Sequence, residues 1–158
     1  MQYSFIIRRA EPEDAGAIRE ITRRAFEKYV KDANISSDIE ALEETIEQIE
    51  ADIKNKYVYI ALVNEVTVGS MRININDDKT AYLTRFGVRA DHSNMGIGKA
   101  LMALADSLMK EFEMNKLTLH TASTYRELVR FYYGRGFYID STNKDKGYIR
   151  AFLVKEYN

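Results

Sequence analysis

Hydrophobic residues change their spacing several times along the chain, and each change marks an element. Phe5-Ile6-Ile7-Arg8-Arg9 reads as a short strand. Glu11-Pro12-Glu13-Asp14 then opens a helix, with proline in the first turn, where its missing N–H costs nothing, and carboxylates at the positive end of the dipole. Ile18, Ile21, Ala25, Phe26 and Tyr29 share one face at helical spacing and carry that helix to about Val30. Ser37-Asp38-Ile39-Glu40 fits a capping box. The helix it would start places Ile39, Leu42, Ile46, Ile49 and Ile53 in one narrow stripe.

From Tyr57 the period becomes that of strands. Tyr57 to Val63, Val66 to Ile75 and Ala81 to Val88 are separated by turns at Asn64-Glu65 and Asp77-Asp78-Lys79, the pattern of three antiparallel strands. Met95 to Glu113 returns to helical spacing, with Ile97, Leu101, Leu104, Leu108 and Phe112 on one face. Leu117-Thr118-Leu119-His120 is a short strand, and Tyr125 to Tyr133 is a helix closed by Gly134 or Gly136. Phe137-Tyr138-Ile139 and Ile149 to Val154 finish as strands. The order β-α-α-β-β-β-α-β-α-β-β predicts an α/β fold, a single mixed, mostly antiparallel sheet flanked by helices rather than a doubly wound sheet.

Composition narrows the classes of function. The 158 residues hold one proline, no repeat and no linker-like stretch, so one domain over residues 1–158 is expected. Basic and acidic side chains number 23 and 24, for a net charge of −1, which argues against a nucleic-acid or anionic-membrane partner. The chain has no cysteine, hence no disulfide, thiolate metal site or cysteine nucleophile. His92 and His120 are isolated from each other and form no paired histidine–carboxylate motif, so no metal is expected. No apolar run approaches the ~18 residues of a membrane span, and Met1 to Ala10 lacks the parts of a signal peptide; a cytoplasmic location is expected.

Val88 to Leu101 carries the strongest chemical signal. A strand ends, a loop follows, and Gly96 and Gly98 flank one residue at the start of a long helix. Unpaired N–H groups at a helix N-terminus, with no Cβ to block approach, suit a phosphate. A Walker A loop is excluded, because Ser93 stands where its first glycine belongs and Ala100 follows Lys99. A dinucleotide fingerprint fails at Leu101, and the first βαβ unit it needs is missing.

A second element lies one helix, one strand and one further helix downstream: Phe131-Tyr132-Tyr133-Gly134-Arg135-Gly136-Phe137. Together, Ser93-Asn94-Met95-Gly96-Ile97-Gly98 and Phe131-Tyr132-x-x-x-Gly136-Phe137 resemble the paired motifs of the GNAT superfamily of acyl-CoA-dependent N-acyltransferases. The opening Ile7-Arg8-x-Ala10…Asp14…Ile18…Ile21 also looks like the first strand and helix of that family, so the resemblance covers nearly the whole chain.

The resemblance implies the GNAT fold and an N-acetyltransferase that moves an acetyl group from acetyl-CoA to a primary amine. The amine, from a small molecule or a peptide, would attack directly through a tetrahedral intermediate, with no acyl-enzyme. It implies that Ser93, Asn94, Met95, Gly96, Ile97, Gly98 and Lys99 surround the pyrophosphate. Phe86, Gly87 and Val88 would pair with the pantetheine arm and polarise the thioester carbonyl, with Gly87 supplying the dihedrals of a bulge. Tyr125 stands where many members place an asparagine that contacts the same arm. Tyr132 is implied as the acid that protonates the leaving thiolate; phenol titrates near 10 and thiol near 8.5, so that transfer is slightly uphill. The alternative is an amphipathic helix residue with a buried ring and a wet hydroxyl. Thr84 stands where many members carry a glutamate, so the resemblance assigns no general base.

Charge patterning bears on both substrates. From Lys79 to Arg150 there are 12 basic against 7 acidic residues, in the half that holds the glycine loop. Lys99, Arg126, Arg130 and Arg135 are its candidates for the nucleotide phosphates. Asp38 to Asp52 instead contains seven carboxylates and no cation: a solvated outer helix face, or a wall that would attract a cationic amine. His92 reads as a surface residue, and His120 as a strand-end residue that could take a proton or touch substrate. A non-catalytic acyl-CoA-binding sensor or complex subunit is the alternative function. An enzyme acting on aminoacyl-tRNA is disfavoured by the charge. The isoleucine stripe serves packing on the sheet or, alternatively, a homodimer seam.

Overall fold

The computed structural model describes residues 4–35 and 40–157. Its strands are β1 (Ile6–Arg9), β2 (Tyr57–Val63), β3 (Val66–Ile75), β4 (Thr80–Val88), β5 (Lys116–Ala122), β6 (Tyr138–Asn143) and β7 (Arg150–Glu156). The helices are α1 (Ala15–Asp32), α2 (Ile46–Asn55), α3 (Ile97–Glu111) and α4 (Arg126–Gly134). The strands form one sheet in the order β1-β2-β3-β4-β5-β7-β6, antiparallel throughout except where β4 meets β5. Element order and the mixed, mostly antiparallel sheet agree with the sequence pattern.

Alternation along the strands sorts the side chains onto two faces. Val58, Ile60 and Leu62 pack with Ile18, Ile49 and Ile53 under α1 and α2. Ala61, Val63, Met71, Ile73, Leu83, Leu117 and Leu119 point the other way and meet Ile97, Leu101, Met102 and Ala105 of α3. Part of the isoleucine stripe is therefore the face of α2 turned to the sheet.

α2 begins later than the sequence predicts. Ser37, Asp38 and Ile39, the start of the expected capping box, lie outside the described residues. Glu40–Leu42 is a single 3-10 turn, and the helix starts only after Thr45. There Thr45 Oγ1 accepts from the Gln48 amide at 3.1 Å, and Gln48 Oε1 accepts from the Thr45 amide at 2.9 Å, a capping box eight positions further on.

The acidic stretch is also divided by the structure. Glu44 is buried and grips Arg72 of β3 with both carboxylate oxygens at 2.7 Å. Asp52 accepts from the same guanidinium at 3.0 Å. Arg72 is fully buried, the largest side chain enclosed by the fold. Two of the seven carboxylates thus serve an internal ion pair, while Glu43, Glu47 and Glu50 are solvated.

Candidate active site

The site forms where two neighbouring strands stop pairing. β4 and β5 are in parallel register only at Thr80–Lys116, Ala81–Leu117 and Tyr82–Thr118. Beyond Tyr82, β4 runs on to Val88 bonded to β3, and β5 runs on to Ala122 bonded to β7. Between their inner edges lies a cavity of about 550 Å³. The backbone groups that β4 turns toward this gap have no strand to bond, which leaves a pairing edge for an extended ligand.

A bulge in β4 accompanies the divergence. Ser70 pairs with Gly87 and Arg72 with Thr84, so Arg85 and Phe86 together oppose Met71. Arg85 adopts φ 52°, a left-handed conformation that few side chains tolerate. Such a two-against-one bulge bends its strand. This corrects the expectation for Gly87: the permissive dihedral belongs to Arg85. Gly87 matters for a different reason, since a Cβ there would come within 2.8 Å of the Ala25 Cβ on α1.

On the α3 side, Phe86, Gly87, Val88, Ser93 and Gly98 line the cavity. α3 starts at Ile97 rather than Met95, because Gly96 caps it with φ 82°. The first intrahelical bond closes from the Ala100 amide to the Gly96 carbonyl at 3.0 Å, so the amides of Ile97, Gly98 and Lys99 have no helical partner. Asn94, Gly96 and Lys99 are exposed, and Met95 is half-buried against the core. The Ile97 side chain is wholly buried in that core, so only its backbone can meet a ligand. At Gly98 a Cβ would lie 3.4 Å from Phe131 Cζ and 3.6 Å from Phe86 Cζ. Both are ordinary contacts, so a Cβ there would occupy space beside the two rings without a clash.

Tyr132 of α4 borders the same space within an aromatic cluster; its ring centroid is 6.1 Å from Phe86 and 5.6 Å from both Phe131 and Phe137. Burial pushes its phenol well above the usual value. Among the described residues its hydroxyl has no hydrogen-bond partner. Tyr133 is exposed, and with Arg126 and Arg130 it lines a second, shallower cavity of about 270 Å³. Arg135 stacks its guanidinium 5.9 Å from the Phe131 ring. Of the candidate phosphate cations, Lys99, Arg126 and Arg130 are exposed.

Tyr125 lines the α1 side of the cavity, its hydroxyl accepting from Lys28 Nζ at 3.2 Å and its ring 5.7 Å from Tyr29. Tyr82 and His120 face each other just past the last β4–β5 pair, with Tyr82 Oη 2.5 Å from His120 Nδ1. Burial, reinforced by the positive charge of Arg150, lowers the imidazole pKa, so His120 is neutral near pH 7. His92 instead bonds Asp91 at 2.9 Å on the loop before α3. Lys28, Arg85, Lys146, Tyr148 and Arg150 complete this end of the cavity. Sequence reasoning missed Tyr82, Arg85, Tyr148 and Arg150; the pairing of β4 with β5 is the one signal that would have joined Tyr82 to His120.

The sequence matches the family model described as Acetyltransferase (GNAT) family over residues 16–137. Among curated proteins, none matches the chain by sequence. Solved structures share the fold. The PaiA N-acetyltransferase of Thermoplasma acidophilum, in complex with coenzyme A, superposes with a TM-score of 0.85 at 22% identity, covering 98% of this chain and 99% of that one. The ribosomal-protein-S18-alanine N-acetyltransferase of Escherichia coli gives 0.77 at 14% identity over 97% and 94%. The yncA protein of Salmonella typhimurium, with acetyl-CoA, gives 0.78 at 15% identity over 98% and 95%.

Proposed function

Because the chain belongs to the GNAT acetyltransferase family, we propose that it is an N-acetyltransferase that moves an acetyl group from acetyl-CoA to a primary amine. The observation that carries this reading is the gap between β4 and β5, with a ring-buried tyrosine on one side and a neutral imidazole on the other. Relatives of the same fold hold coenzyme A or acetyl-CoA, and the residues here fit such a ligand. The free edge of β4 at Phe86, Gly87 and Val88 suits the amide groups of a pantetheine arm. The partnerless amides at the start of α3, beside Ser93 and Gly98, suit a pyrophosphate. Asn94, Met95, Gly96, Ile97 and Lys99 contribute the turn that presents those amides. Tyr125 lines the wall of the same channel.

When bound, acetyl-CoA would supply a thioester whose carbonyl the amine attacks; the C–N bond forms first, placing charge on the carbonyl oxygen, and the C–S bond breaks after it, releasing the thiolate. Backbone N–H groups of β4 would stabilise the developing oxyanion. His120 would take the amine proton at Nε2, which requires Nδ1–H to donate to Tyr82 Oη. Tyr132 would return a proton to the departing sulfur. Burial raises the phenol pKa, but a thiolate in the same apolar cleft is desolvated too, so the two stay nearer in proton affinity than the phenol shift alone implies.

The test is Tyr132→Phe. Thiol release from acetyl-CoA is expected to fall by roughly 10²- to 10⁴-fold with acetyl-CoA affinity retained. A loss below threefold means that the sulfur takes its proton elsewhere. With no cysteine in the chain, a thiol reagent reports product alone.

A further inference from the structure

The cationic end of the cavity carries information about the acceptor. His120 pairs in register with Phe152, and Ala122 with Arg150, so Arg150 lies on the same face of the sheet as His120. That is the face α1 covers, where Ala122 packs against Tyr29. The turn before α3 and Tyr132 belong to the opposite face. A charge at Arg150 therefore lies on the side away from the amides that suit the nucleotide phosphates.

The cations at this end differ in their partners. Lys28 is held by Asp32, Lys146 reaches Glu40 at 3.4 Å, and Arg85 approaches Glu44 at 3.7 Å. Arg150 has neither an ion pair nor a hydrogen bond among the described residues, and its Nε is fully withdrawn from solvent without a partner. The Nε–H thus bears the cost of an unmade hydrogen bond, and the terminal nitrogens of the same half-buried guanidinium have no protein partner among the described residues, so an anionic ligand can take them.

A second donor stands close by in the fold. Tyr29 Oη accepts from the Ala122 amide at 2.7 Å and sits 3.3 Å from Tyr148 Oη. Either hydroxyl can donate in that pair; with Tyr29 as the donor, the Tyr148 hydrogen is free for a ligand, and Tyr148 lines the cavity.

We infer that Arg150 and the Tyr148 hydroxyl form a carboxylate-binding subsite, so that the acceptor is an amine that also carries a carboxylate, as a free amino acid does. The inference rests on the acyl-transfer reading of the cavity. A planar carboxylate matches the fork of one guanidinium plus one hydroxyl, whereas a doubly charged phosphate calls for more cations than are free here. The Arg150 charge disfavours the further ammonium groups of a polyamine beside His120, where the carboxylates in reach are Glu127, which lines the cavity, and Asp145, whose charge acts on the imidazole. The subsite thus reverses the preference that the acidic stretch of the sequence would suggest.

The experiment measures thiol release from acetyl-CoA with the free amino acids, the corresponding amino-acid amides and spermidine, for the wild-type protein, Arg150→Gln and Arg150→Lys. One or more amino acids are expected to outrun their amides by roughly 10- to 100-fold in kcat/KM, mostly through KM. Arg150→Gln is expected to erase that difference, Arg150→Lys to restore part of it, and both to keep the wild-type affinity for acetyl-CoA. Amides or spermidine used as well as amino acids would overturn the subsite, and so would a loss of acetyl-CoA affinity in Arg150→Gln. If acetyl-CoA binds but no amine releases thiol, the transfer reading itself falls. The subsite is then judged by calorimetric titration of the N-acetylated amino acids into the coenzyme A-loaded protein. Binding that Arg150→Gln abolishes upholds it, and absence of binding to wild type overturns it.

Discussion

His120 illustrates how little of a residue's chemistry is settled by its identity. On a solvated strand end its imidazole would titrate near 6.5. Here burial acts first and the Arg150 charge second, and both favour the neutral ring, with the charge of Asp145 opposing them. The group is therefore ready to accept a proton across the neutral range and loses that capacity only in acid. If His120 is the base, the acidic limb of kcat/KM against pH should bend below pH 6.5, with activity rising toward neutrality. His120→Gln should lower the plateau and flatten that limb. A limb that survives the substitution unchanged would remove His120 from the reaction. Tyr82, which holds Nδ1, is itself kept protonated by burial, so it does not contribute a second bend near neutrality.

Arg85 and Gly87 show the limit of sequence reading at this scale. A glycine in a strand invites the inference of special dihedrals, yet the positive φ sits two positions earlier on an arginine. Nothing in the local residue pattern reports it. The bulge follows from the register with β3, and Gly87 answers to the nearness of α1.

Among elements, the legible ones were those whose pattern is set by burial on one face. The stripes of α1 and α3 and the alternation of β2 and β4 translate directly into the two layers of the core. The start of α2 was misplaced because two capping boxes compete, and only tertiary contact chooses between them. Arg72 was invisible for a related reason. It lies in a strand, and Glu44 and Asp52 stand 28 and 20 residues before it. That cluster joins the segment before α2, the helix itself and β3 in one salt-bridged knot. Its expected signature is asymmetric. Arg72→Met strands the buried Glu44 carboxylate and should cost about 3–5 kcal/mol of unfolding free energy. Adding Glu44→Met should recover a large part of it. Chemical denaturation of the three proteins checks this, and an additive second loss would contradict the account.

For the molecule as a whole, the family, the glycine loop and the helix bearing Tyr132 were readable because their motifs are contiguous. The end of the cavity around His120 was not, because Tyr82, His120, Tyr148 and Arg150 come from separate strands and a loop, and only the sheet order collects them. A ligand that occupies the gap would complete main-chain bonding along β4 and tie both faces together. At acetyl-CoA a hundredfold above its Kd, stability should rise by about 2.7 kcal/mol. For a chain of this size that is a rise of roughly 5–10 °C in Tm. The amides of Thr84 to Val88 should gain protection from hydrogen exchange more than those of β2. Uniform protection across the sheet would mean that the ligand binds elsewhere.

The three register pairs at Thr80 to Tyr82 have one more consequence. They are the only main-chain ladder joining β1–β4 to β5–β7 among the described residues, and each of those blocks is antiparallel within itself. In mechanical terms the sheet is two stiff plates on a short hinge. Opening the plates by a few degrees about that hinge breaks no other strand pairing, while changing the depth of either plate would. On the acyl-transfer reading, tolerance for a bulkier acyl group should follow that angle, so turnover of longer acyl-CoA esters should respond to substitutions at Tyr82 or Thr118 sooner than to those deep in either plate.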